Sequence, residues 1–229
     1  MRDSASNINL VYVSTSTVLL FLFLLLNGCG EDQPNDIGPA NDASEDLVAG
    51  ENELFESMAE PTSEQQFWSK LHEHCGLAFE GELVEAAEDV DLLDGSETII
   101  VHFRSCTDFE TRLPFHIETE PGTWDRSRTW VFFNHGEDGL ELRHDHRNED
   151  GSEEDDTWYG GDAIEGDRNW QRFVYPPRTE EVGKFMGWWV QIQPRERFTY
   201  STMRGDEWTF RVDFDLTAPV EVPPPPWGF

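Results

Sequence analysis

The segment Leu140-Glu141-Leu142-Arg143-His144-Asp145-His146-Arg147 sets two imidazoles two residues apart, directly after two leucines. Read as a β-strand, in which side chains alternate between faces, it places Leu140, Leu142, His144 and His146 on one side. The histidines then continue an apolar stripe that faces a core. Two such rings lie about 7 Å apart, close enough to share a metal ion when a third ligand converges on them. His116 is the third candidate, with His102 and His135 behind it. The same rings could instead line a ligand cavity, or sit near a strand end bonded to acids. A second group is Asp125-Arg126-Ser127-Arg128-Thr129-Trp130. Alternation puts Arg126, Arg128 and Trp130 on one face, where arginine beside an aromatic ring holds carboxylate or phosphate. The alternative is an arginine stacked on Trp130 or paired with an acid. The ligand-binding set is therefore Arg126, Arg128, Trp130, His144 and His146, and the metal set is His116, His144 and His146.

Other chemistry is thinly represented. The loop from Asn148 to Asp156 is rich in carboxylates, but it departs from the EF-hand pattern. His146 stands at the first ligand position and Thr157 at the twelfth, where glutamate is needed. It reads as a solvated hairpin tip. There is no Gly-x-Ser-x-Gly, no phosphate-binding glycine loop and no His-Glu-x-x-His. No catalytic residue is assigned, and the sequence leaves open whether a cofactor is used.

The elements that must carry these side chains follow from periodicity. Thr62 or Ser63 can cap a helix whose apolar face is Phe67, Trp68, Leu71 and Cys75, with Gly76 to end it. After it the period becomes two. Ile99, Val101 and Phe103 alternate, as do Leu113, Phe115 and Ile117, and later Trp188, Val190 and Ile192. The cleanest run is Trp208, Phe210, Val212, Phe214 and Leu216. Turn signals such as Asp94-Gly95, Pro121-Gly122, Asp138-Gly139 and Gly205-Asp206 separate the runs. A short helix is predicted near Thr179–Met186. Eight to ten short strands after one helix predict a mainly β fold: an antiparallel up-and-down β-barrel, which removes its own edges. A β-sandwich is the alternative. The order of elements resembles calycin-type barrels such as lipocalins and fatty-acid-binding proteins. Gly122-Thr123-Trp124 matches the short lipocalin Gly-x-Trp signature only mid-sheet, and we count that match as chance. Ser127-Arg128-Thr129-Trp130, Leu142 to Arg147, Tyr159-Gly160-Gly161 and the ending from Ala218 to Gly228 resemble a group of uncharacterised bacterial secreted proteins, a resemblance that implies no activity.

Composition sets the context. The formal net charge is −31, from 47 Asp and Glu against 16 Lys and Arg. Such a charge repels nucleic acid and anionic lipid. The apolar run from Val18 to Leu26 has the length of a signal-peptide core, too short for a permanent span. Leu26-Asn27-Gly28-Cys29 resembles a lipobox, which implies lipidation on Cys29 and cleavage before it. Residues 1–28 are then a signal peptide, and 29–60 an acidic tether reaching roughly 30 Å. Residues 61–218 form the barrel domain, and 219–229 a proline-rich tail expected in polyproline II form. With Cys29 carrying lipid, Cys75 and Cys106 remain to pair in an oxidising compartment. By analogy with lipoprotein sorting, Gly30 after the cysteine implies the outer membrane, facing the periplasm or the surface.

The sequence therefore reads as a lipid-anchored envelope protein, more a binding module than an enzyme. Its membrane contact runs through Cys29, and its expected ligand is a small molecule inside the barrel. The alternatives are a metal-dependent hydrolase on His116, His144 and His146, or a structural or interaction lipoprotein without pocket chemistry.

Overall fold

The computed structural model describes residues 60–229, so the signal segment, Cys29 and the tether before Glu60 lie outside the described residues. The first element, α1 (Ser63–His72), starts at a capping box. The Thr62 hydroxyl accepts from the Gln65 amide at 3.2 Å, and the Gln65 side chain accepts from the Thr62 amide at 2.9 Å. Phe67, Trp68 and Leu71 form its buried face. Cys75 lies beyond the helix and is joined to Cys106, with 6.1 Å between their Cα atoms.

The strands that follow are β1 (Ala78–Ala86), β2 (Ile99–His102), β3 (Ser105–Cys106), β4 (Glu110–Glu120), β5 (Thr123–Asn134), β6 (Leu140–His146), β7 (Tyr159–Gly166), β8 (Trp170–Val174), β9 (Met186–Gln193), β10 (Arg197–Arg204) and β11 (Glu207–Asp215). Val101 pairs with Phe115, and Ser105 with Arg112, so β2 and β3 lie end to end along β4. Every other strand pairs with its sequence neighbours, and β11 returns to β1 with Phe214 opposite Gly81. The result is a closed ten-stranded antiparallel barrel with two helices. An even number of up-and-down strands makes the closing pair antiparallel as well, so no edge is left open. The barrel, not the sandwich, is the fold.

Helix α1 closes one end. The Lys70 ammonium donates to the Arg168 carbonyl and the Asn169 side chain, both at 2.6 Å. His72 bonds Thr111 at 2.9 Å, and the His74 ring accepts from the Arg195 amide at 3.1 Å. Above this plug the interior is solid. Phe103, Phe115, Phe132, Phe173, Phe198 and Phe214 are all fully buried. The second helix, α2 (Pro176–Val182), starts three residues earlier than the sequence suggested. Pro176 and Pro177 are tolerated in a first turn, where amide hydrogens have no partner anyway, and Gly183 ends the helix at a φ of 72°.

The tail is a layer of its own. Val220 bridges Ala78, its amide donating to the Ala78 carbonyl at 2.8 Å. Pro223 and Pro226 are buried while Pro224 and Pro225 are exposed. That three-residue spacing is the period of polyproline II. The Trp227 amide donates to the Arg126 carbonyl at 3.1 Å, and the Arg126 guanidinium donates to the Pro225 carbonyl at 2.7 Å. The tail thus crosses the outside of the barrel from β1 to β5, and Phe229 reaches the guanidinium groups of Arg112 and Arg147.

Candidate functional site

The barrel end opposite α1 holds the interior cluster of His144, His146, Tyr159 and Tyr200. The β6 register runs without a break against β5, with Trp130 opposite His144 and Arg128 opposite His146. Both histidines therefore stay on the inner face with Leu140 and Leu142, as alternation requires. His144 is almost fully buried. Its Nδ1 lies 3.1 Å from the Tyr159 carbonyl, which can only accept, so Nδ1 carries the proton. Nε2 is then an acceptor, and the Tyr200 hydroxyl donates to it at 2.7 Å. Burial, partly offset by that carbonyl, holds the His144 pKa down to about 3, so the ring is neutral. The ring stacks on Tyr159, with centroids 4.7 Å apart and planes at 4°.

His146 sits nearer the rim. Its Nε2 is 3.3 Å from the Tyr159 hydroxyl, and its Nδ1 is 3.7 Å from Glu154. Burial and the Arg128 charge lower its pKa against the opposing pull of Asp156, Asp145 and Asp125. Burial also raises the Tyr159 and Tyr200 pKa values, so both phenols stay protonated. Tyr159 is aimed inward by an unusual residue before it. Trp158 has a φ of 57°, held by its amide on the His144 carbonyl and its own carbonyl on Arg143. Bulky residues rarely adopt that region, and they do so where surrounding bonds fix them.

The β5 group does not stay together. Asp125 lies opposite Ile117 and Arg128 opposite Phe115, so Arg126 and Ser127 together face the single residue His116. This bulge reverses the alternation between its two sides. Arg128 and Trp130 point inward. Arg128 donates to Asp125 at 2.7 Å and to Ser127 at 2.8 Å, while Trp130 stacks on Tyr200 with centroids 3.9 Å apart. Arg126 points outward to the tail, which corrects its placement with Arg128 and Trp130. The structural alternative, an arginine paired with a neighbouring acid, describes Arg128.

The proposed histidine trio does not converge. Phe115 and Ile117 belong to the core, so His116 between them is on the outer side of the wall, away from His144 and His146. Among the described residues, no group of three or more His, Cys, Asp or Glu side chains is arranged to hold a metal ion. His135 bonds Glu141 at 3.0 Å, and His102 also faces outward. In the acidic loop, Asp150 caps the Ser152 amide and hydroxyl as a hairpin turn.

The structure adds residues that the sequence did not single out. A cleft of about 440 Å³ opens at this end, lined by Asp156, Tyr159, Tyr175, Arg178, Met186 and Trp188, and by Thr202 and Thr209 across from them. The rings of Tyr159, Tyr175 and Trp188 form a triangle with centroid separations of 6.0, 5.7 and 6.1 Å. Trp188 was legible as an inward strand residue; Tyr175 and Met186 lie at strand ends, where alternation gives no signal. The arrangement offers aromatic faces with hydroxyl, carboxylate and guanidinium groups around them, and no nucleophile paired with a base. The fold and site together describe a plugged up-and-down barrel with an aromatic mouth. Comparison with family models, with curated proteins and with solved structures finds no match.

Proposed function

We propose that this protein is an envelope-located binding barrel that holds a small amphipathic organic ligand at its mouth, tethered to the outer membrane by lipid on Cys29. The observation that carries the reading is the cleft walled by Tyr159, Tyr175 and Trp188 beside Asp156 and Arg178. Concave, mostly apolar sites with a few fixed polar groups are where small ligands bind. The ligand sits above the filled interior, against the rings, and not deep inside the barrel. His144 packs on both Tyr159 and Trp188, and His146 bonds the Tyr159 hydroxyl, so their role is to hold these rings in place, with Trp130 behind them on Tyr200 and Arg128 paired to Asp125.

The test is a ligand search on the full chain by native mass spectrometry and tryptophan fluorescence. A bound ring-containing compound should lose about 10-fold in affinity in Tyr175→Ala, since an aromatic contact contributes about 0.5–1.5 kcal/mol beyond its area. Incorporation of a fatty-acid label that disappears in Cys29→Ser tests the anchor. The solid aromatic interior favours a second reading, an interaction lipoprotein without pocket chemistry. It takes over if no compound binds or if Tyr175→Ala binds as well as the parent.

A further inference from the structure

His116 is the most unusual polar residue in the barrel wall. It faces outward, yet it has no exposed surface. The β4–β5 bulge lies on one side of it, and Trp124 packs edge-on at 6.4 Å between ring centroids. Both of its ring nitrogens lack a hydrogen-bond partner in the protein, and so does the buried indole nitrogen of Trp227. The tail crosses the sheet on this outer face. It is held at Ala78 on one side of His116 and at Arg126 on the other. From Val220 to Pro225 is five residues, about 15 Å in polyproline II form, which spans the three strand spacings from β1 to β5 at about 4.8 Å each.

We propose that the tail is an acid-labile latch: protonation of His116 frees Trp227 and the proline segment from the barrel wall. A neutral imidazole fits beneath the tail as an aromatic disc. An imidazolium there would be a buried charge without an acceptor, which is expensive. The charged and titratable groups acting on it are His102 on β2, Arg104 after it and Arg126 on β5, with Asp125 on the inner side of the same bulge. The covering residues Val222 to Trp227 contain no titratable side chain. His116 belongs to no metal-holding group among the described residues.

The direction and size of the effect follow from linkage. Burial first, then the positive charges of His102, Arg126 and Arg104, hold the His116 pKa down to about 4, with Asp125 opposing them. Lifting the tail relieves the burial while the barrel's own charges stay, so the ring rises toward 6.5, which sets the upper limit of the effect. A histidine depressed in the closed state supports the latch fully above the open-state value and loses that support as pH falls toward 4. With these two limits, the ratio of open to latched tail rises by up to about 30-fold between pH 7.5 and pH 5.

The experiment is amide hydrogen exchange on the full chain, read at Trp227 and corrected for the intrinsic rate at each pH. Trp227 protection should fall several-fold, and at most about 30-fold, from pH 7.5 to pH 5 while Val212 in the barrel keeps its protection. In His116→Leu the fall should vanish, and in His102→Gln it should persist. An NMR titration of the His116 ring needs no variant, and should show it neutral until well below pH 6. The latch is overturned if Trp227 protection is flat with pH. It is equally overturned if Trp227 and Val212 lose protection together, if His116→Leu retains the fall, or if the ring titrates near 6.5.

Discussion

Replacing Tyr200 by phenylalanine removes one oxygen from the interior and leaves the rest of the ring. The aromatic volume is conserved, so no large cavity opens, and the stack on Trp130 at 3.9 Å remains. What is lost is the donor to His144 Nε2, an acceptor at the centre of the mouth cluster. The imidazole has no escape by changing tautomer. A proton moved to Nε2 would set the Nδ1 lone pair against the Tyr159 carbonyl at 3.1 Å. Protonating both nitrogens is also closed, because burial holds the pKa to about 3. The variant must therefore carry a buried acceptor without a donor, at a cost of about 1–3 kcal/mol. For a domain of this size each kcal/mol moves the midpoint by about 2–4 °C, so Tyr200→Phe should melt about 2–12 °C lower. Urea unfolding at pH 7.5 gives the free energy directly. The same substitution made in a His144→Leu background should cost little, because the acceptor is gone. A loss under about 0.5 kcal/mol in the parent, or an equal loss in both backgrounds, would refute the assigned bond and tautomer.

Two further predictions concern the frame around the site. Removing the Cys75–Cys106 bridge, which closes a separation of 31 residues, should cost roughly 3–4 kcal/mol, read as a lower urea midpoint in the double serine variant and in the reduced parent. Gly161 and Gly183 should respond differently to alanine. A β-carbon on Gly161 would overlap the Val174 carbonyl, whereas Gly183 has open space and only a φ of 72° to resist the change. Gly161→Ala should lose several kcal/mol or fail to fold, and Gly183→Ala about 1 kcal/mol, compared by thermal melting and soluble yield.

How much of this was legible in the sequence depends on whether a strand keeps its register. The alternation in β6 carries Leu140, Leu142, His144 and His146 to the core without interruption, and the run in β11 does the same for Phe210, Val212 and Phe214, whereas Trp208, expected on that face, is turned outward against Trp189 by a bulge at Thr209. The barrel itself was readable for that reason. In β5 the same rule fails at Arg126 and Ser127, because a bulge adds one residue and every later side chain changes face. Nothing local in Asp125 to Trp130 announces the bulge; it is set by pairing with β4, which is a tertiary fact. His116 is a different kind of miss. Leu113, Phe115 and Ile117 point inward, so alternation alone already turns His116 outward and removes it from any cluster with His144 and His146. Its complete burial could not be read from the strand, because outward positions are normally wet. The covering layer comes from residues 220–227, whose period is three and which touch the sheet through a single bridge at Ala78 and the bonds to Arg126. The mouth cleft shows the same limit. Tyr175 caps α2 and Arg178 lies within it, both between β8 and β9, and such a connection acquires a direction only from the strands on either side of it. Strand parity thus reports the inside of this barrel well, and the surfaces where a ligand or a tail would act are supplied by bulges, ends and connections that parity does not see.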